Sequence, residues 1–173
     1  MTKFLLAVHV LAAIIAIGPV TVAASMFPPA ARHALADPHD QRAHAIVHNL
    51  HRICRIYAVF GVVVPVFGLG VALNMDVLGD TWLIVSIVLT GLAAALLALV
   101  VLPRQDALLA AVGTAEAAPA PIAATSAVDA APAPPSAAHR ATARLAMSTG
   151  VFNLLWATVT VLMIVRPGST TGA

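Results

Sequence analysis

The chain has 173 residues, 61% of them apolar and 9% charged, with nine Lys or Arg against seven Asp or Glu. Soluble domains carry about 25% charged residues, so this composition, with a mean hydropathy of +0.97, excludes a soluble globular surface. Despite a pI near 9.3, the nine basic residues are too scattered for a nucleic-acid patch, and a single cysteine excludes a disulfide scaffold.

A membrane-crossing helix needs about 20 apolar residues to span about 30 Å of hydrocarbon. Residues 4–27 form the first such stretch. Gly18-Pro19 predicts a kink in it, because Pro19 has no N–H for the carbonyl of Ile15. Lys3, the apolar run and Val22-Ala23-Ala24 also fit a cleaved signal peptide. Arg32, Arg42, Arg52 and Arg55 follow closely and oppose export, so the segment reads as a retained helix.

Asp37-Pro38 reads as an N-cap followed by proline at the first helical position, with Asp40 adding charge to the first turn. A second helix is therefore expected over residues 38–73, projecting from the bilayer before its apolar part begins at Ile56. On the projecting part His44, His48, His51 and Arg55 recur at steps of four, three and four. Ile46, Leu50, Ile53 and Tyr57 form a second face. Residues 82–102 and 145–165 supply the third and fourth spans. Between them, residues 111–138 hold 13 Ala and five Pro and no aromatic residue, which predicts a disordered linker.

The expected fold is all-α: one polytopic membrane domain over residues 1–173, built as a four-transmembrane-helix bundle. Arg32, Arg42, Arg52, Arg55, Arg104, Arg140 and Arg144 fall on one side and only Lys3 and Arg166 on the other. Seven against two puts the long loops in the cytoplasm and both termini outside.

Two places could carry chemistry. His9 is the ionisable side chain set well inside a span, where such residues face protein and suggest function. It could bind a cofactor such as haem b, with Met163 as a second axial ligand, or be a neutral imidazole bonded to a hydroxyl or carbonyl. His44, His48 and His51 could hold a metal ion, and with Cys54, Met26 and Met147 would suit copper(I). The same face could equally be a basic surface meeting anionic headgroups. Asn153, Gly61, Gly68, Gly70, Gly91 and Gly150 read as interhelical contact positions. No nucleophile with its base, phosphate loop or zinc-protease motif is present, so no enzyme activity is expected.

The start at residues 4–19 with His9 and Gly18, the Trp82-Leu83-Ile84-Val85-Ser86 opening of the third helix, and its Leu102-Pro103 exit resemble uncharacterised bacterial integral-membrane proteins. These are grouped as domain-of-unknown-function family 2269. The resemblance covers helices one to three and implies a bacterial plasma membrane, a four-helix bundle and no assigned activity. A looser likeness to four-helix haem and copper-resistance membrane proteins rests on His9. The expected function is a packing or partner-subunit protein without a cofactor. Its partners would be the lipid bilayer and a membrane protein or second copy, not nucleic acid. The alternative is haem or copper binding for electron transfer or metal handling.

Overall fold

The computed structural model describes residues 2–118 and 136–168. Among these residues the ordered elements are all helical and assemble into four rods. The first is α1 (Thr2–Ala36). The second is α2 (Gln41–Gly61) continued by α3 (Val63–Met75). The third runs through α4 (Thr81–Leu96), a π-helical turn (Leu97–Val101) and α5 (Leu102–Ala117), and the fourth is α6 (Ala137–Val165). Each rod is long and apolar enough to cross a membrane. Ile14, Val66, Leu99, Leu154 and Ile164 point outward with most of their surface uncovered, as lipid-facing side chains do. The fold is an all-α, four-helix arrangement of the multi-pass membrane type.

α1 is the central rod. α2 and α3 lie along one side of it, α6 along another, and α5 closes on its C-terminal part, while α4 packs on α6. The main core follows this plan: Ala24, Phe27, Ala31 and Ala34 of α1 meet Val47, Leu50 and Cys54 of α2 and Leu108 and Val112 of α5. Alanines on α1 let the neighbouring backbones come close, and Phe27 fills the centre. At the other end Ala72, Val77, Trp82 and Leu83 form a smaller cluster, with Met163 packed against it. Trp82 Nε1 donates to Asp80 Oδ2, and the Arg166 guanidinium lies 5.6 Å above the Trp82 ring.

The rods are longer than the apolar stretches predict, and all are extended at the same end. α1 continues through Pro28 and Pro29 to Ala36. Two missing N–H groups weaken that turn, but Phe27, Pro28, Ala31 and Ala34 are fully buried there, and packing outweighs the propensity. The second rod begins three residues later than the Asp37 cap predicts. Asp37 and Pro38 instead open a turn in which the Asp40 N–H donates to the Asp37 carbonyl. Asp40 is the N-cap, its Oδ1 accepting from the N–H groups of Arg42 and Ala43. The expected single helix over residues 38–73 also breaks at Val62, next to the Gly61 carbonyl that Pro65 cannot serve.

The third rod does not stop at Pro103. The π-helical turn just ahead widens the backbone, with the Leu102 N–H donating to the Leu97 carbonyl five residues back, and the helix passes through the proline to Ala117. Residues 111–117 of the expected linker are therefore helical, held by the buried Val112. Residues 137–138 belong to α6, capped by Ser136 Oγ accepting from the His139 N–H. The remainder of the expected linker, residues 119–135, lies outside the described residues.

Candidate functional site

α2 and α5 bring the buried histidines of the extended end, His44 and His51, against polar side chains of the facing helix. A helical step of seven residues returns to within about 20° of its start, whereas a step of four overshoots by about 40°. His44 and His51 accordingly share the buried stripe of α2, and His48 falls off its edge and is exposed. Opposite them, Gln105, Leu108, Val112 and Glu116 recur at steps of three, four and four on α5.

His51 is the hub. Its Nδ1 lies 3.1 Å from Gln105 Oε1 and its Nε2 3.0 Å from Asp106 Oδ1. A neutral ring can donate to only one of these oxygens, and the imidazolium donates to both. Gln105 is fully buried, and its Nε2 donates to Cys54 Sγ at 3.5 Å, so one amide ties the imidazole to the thiol. The Phe27 ring meets His51 edge-on at 6.4 Å between centroids. Two turns earlier, His44 Nδ1 lies 2.9 Å from Glu116 Oε2, and Gln41 Nε2 donates to Glu116 Oε1 at 2.8 Å. The hydrogen bond from Gln41, then that from His44, holds the Glu116 carboxyl below the usual carboxylate range. His44 Nε2 is buried without a partner among the described residues.

His9 lies at the other end, 8% exposed, with Nδ1 3.1 Å from the carbonyl oxygen of Val64, the residue before Pro65. The ring fits against Gly68: a Cβ added there would sit 2.8 Å from His9 Cε1. A side chain at residue 68 would therefore force the ring to shift from this position. Ser86 on α4 is fully buried and donates to the carbonyl of Trp82 in its own helix.

The histidines that face inward are therefore turned to other helices and not to one another. Among the described residues no three His, Cys, Asp or Glu side chains converge as metal ligands would. Met26 and Met147 of the soft-ligand set are 53% and 76% exposed. Gln105, Asp106 and Glu116, which complete the His44 and His51 contacts, were missed because Leu102-Pro103 and the alanine-rich stretch read as the end of a helix. The spacing of Gln105, Leu108, Val112 and Glu116, with no proline before Pro119, is the signal that could have revealed them.

The glycines divide in the same way. Gly68 makes the close contact expected of it, but Gly61, Gly70, Gly91 and Gly150 have open space where a side chain would be. Gly91 with Ala95 on α4, and Ala146 with Gly150 on α6, form exposed pairs four residues apart. Thr149 Oγ1, Asn153 Oδ1 and Trp156 Nε1 on α6 are buried without hydrogen-bond partners among the described residues, although Asn153 Nδ2 donates to Ser25 Oγ at 3.0 Å. Comparison with family models, curated proteins and solved structures finds no match to this chain.

Proposed function

We propose that this chain is a non-catalytic packing or partner-subunit protein of a bacterial plasma membrane, binding a second copy or another membrane helix through α4 and α6. The carrying observation is the outward position of Gly91–Ala95 and Ala146–Gly150. Small residues at this spacing let helix backbones approach closely, and among the described residues nothing lies within 4 Å of a side chain built at Gly91 or Gly150. The inward histidines support the same reading, since each spans two helices as a structural contact. Seven arginines at the extended end favour a cytoplasmic location for it, with both termini outside. The resemblance to domain-of-unknown-function family 2269 fits this reading and assigns no chemistry.

Photo-crosslinking residues placed at Gly91 and Gly150 in native membranes test the proposal. A discrete protein adduct is expected from both and not from the lipid-facing Leu11, which is 58% exposed. Lipid adducts alone from all three sites would overturn it.

One observation favours the copper alternative. His44 donates through Nδ1 to a carboxylate and leaves Nε2 bare, the arrangement that orients an imidazole toward a metal. Elemental analysis and an absorbance spectrum of the purified protein separate the readings. Stoichiometric copper lost in His44→Asn, or a Soret band lost in His9→Leu, would replace the packing proposal.

A further inference from the structure

A shallow, open groove lined by α2 alone runs from His48 and Asn49, past His51, Arg52 and Arg55, to Ile56 and Val59. It crosses the point where the second rod changes from polar to apolar. Every charged residue of the groove lies before Ile56, and from Ile56 to Met75 the rod has no charged side chain. With the apolar part of the rod spanning the hydrocarbon, the phosphodiesters of a bilayer fall at this level.

Arg52 and Arg55 are exposed, three residues apart on one flank of the helix, and neither guanidinium has a hydrogen bond or ion pair among the described residues. Arg104 differs, since it donates to the carbonyl of Arg144 and to Ser148 Oγ. The carboxylate beside the groove, Asp106, is held by His51 Nε2 at 3.0 Å. Two guanidinium forks on one flank thus carry no partner among the described residues, and a phosphate offers such a pair more acceptor oxygens than a single carboxylate does. Below them Ile56 and Val59 are 42% and 73% exposed and offer an apolar track in the direction an acyl chain takes.

We propose that this groove binds one anionic phospholipid of the surrounding bilayer. Its phosphodiester lies between Arg52 and Arg55, its headgroup hydroxyls meet His48 and Asn49, and an acyl chain follows Ile56 and Val59. Charge selects the anionic headgroup. A zwitterionic lipid brings its own ammonium against two guanidinium groups, whereas phosphatidylglycerol leaves its phosphate charge uncompensated until the arginines meet it. The site depends on the chain crossing a membrane and not on the α4 and α6 packing proposed above.

Native mass spectrometry of the full chain in detergent tests this, with phosphatidylglycerol and phosphatidylcholine of matched chains added in equal amounts. The first bound lipid is expected to favour phosphatidylglycerol by about tenfold. Arg52→Gln with Arg55→Gln should bring the ratio to within about twofold of unity. Arg52→Lys with Arg55→Lys should keep part of the preference, and Arg32→Gln with Arg42→Gln, off the groove, should keep all of it. Thermal melting identifies any variant that fails to fold, and the lysine pair then carries the test. Equal binding of the two lipids, or a preference unchanged in the glutamine pair, overturns the proposal. So does displacement of the lipid by an equal concentration of glycerol phosphate, which would mean that the site reads a free anion and not a lipid.

Discussion

His9 shows how one residue inside a membrane span is made tolerable. A buried imidazole without a partner costs about 1–3 kcal/mol. Here Nδ1 meets the Val64 carbonyl oxygen, and the ring edge occupies the space that Gly68 leaves open. Gly68→Ala would bring a methyl to within 2.8 Å of Cε1 of a ring already tethered. It is expected to destabilise the protein by about 1–3 kcal/mol, read as a lower melting temperature in detergent. In a His9→Ala background the same change should cost close to nothing, because the ring it strikes is gone. Equal losses in both backgrounds would show that the glycine acts independently of His9.

Among the elements, α5 depends most on its contacts. Its polar anchors are Gln105, Asp106 and Glu116, and its apolar ones Leu108 and Val112. Gln105→Leu fills the space but removes the acceptor for His51 Nδ1 and the donor to Cys54 Sγ. A loss of about 1–3 kcal/mol is expected, measured by denaturant titration of the detergent-solubilised protein. Gln105→Glu keeps an oxygen toward His51 and should lose less.

The far end of α5 should respond to pH through Glu116. Its carboxyl is held below the usual carboxylate range when folded. Its contribution is therefore present above the ordinary carboxylate pKa and is lost as pH falls through the lower folded value. Amide exchange over residues 112–117 is expected to accelerate on the acid side of the carboxylate range. Glu116→Gln should remove that acid step, and an unchanged profile would mean the carboxyl does not hold the helix end.

For the whole molecule, the shared direction of the extensions matters most. Residues 28–36 of α1, the start of α2, α5 and the start of α6 continue the bundle beyond the apolar stretches, and the main core runs through them. Four crossings bring Thr2 and Arg166 to one face, with the α2–α5 contacts on the other. Single cysteines at Thr2 and Gly168, in a Cys54→Ser background, should react with a membrane-impermeant maleimide on intact cells. A cysteine at His39 should react only after permeabilisation. The reverse pattern would invert the orientation argued from the arginines.

Length, composition and runs of about 20 apolar residues already determined that four helices cross a membrane, because the hydrocarbon permits no unpaired backbone and sets the span directly. The central part of the second helix is also readable from the 3.6-residue period, but the expected shared face of His44, His48 and His51 is not kept, because α5 covers only His44 and His51. The helix ends were not. Pro28, Pro29 and Pro103 are local stop signals, and only burial of Phe27, Ala31 and Val112, together with the π-helical turn, overrides them. Nor could the sequence pair His51 with Gln105 and Asp106, or His44 with Glu116, 54 to 72 positions apart. Those contacts exist because the third rod runs past Pro103 and meets the polar start of the second outside the apolar layer. Hydrogen bonding across that distance depends on how the rods pack, which no local pattern encodes.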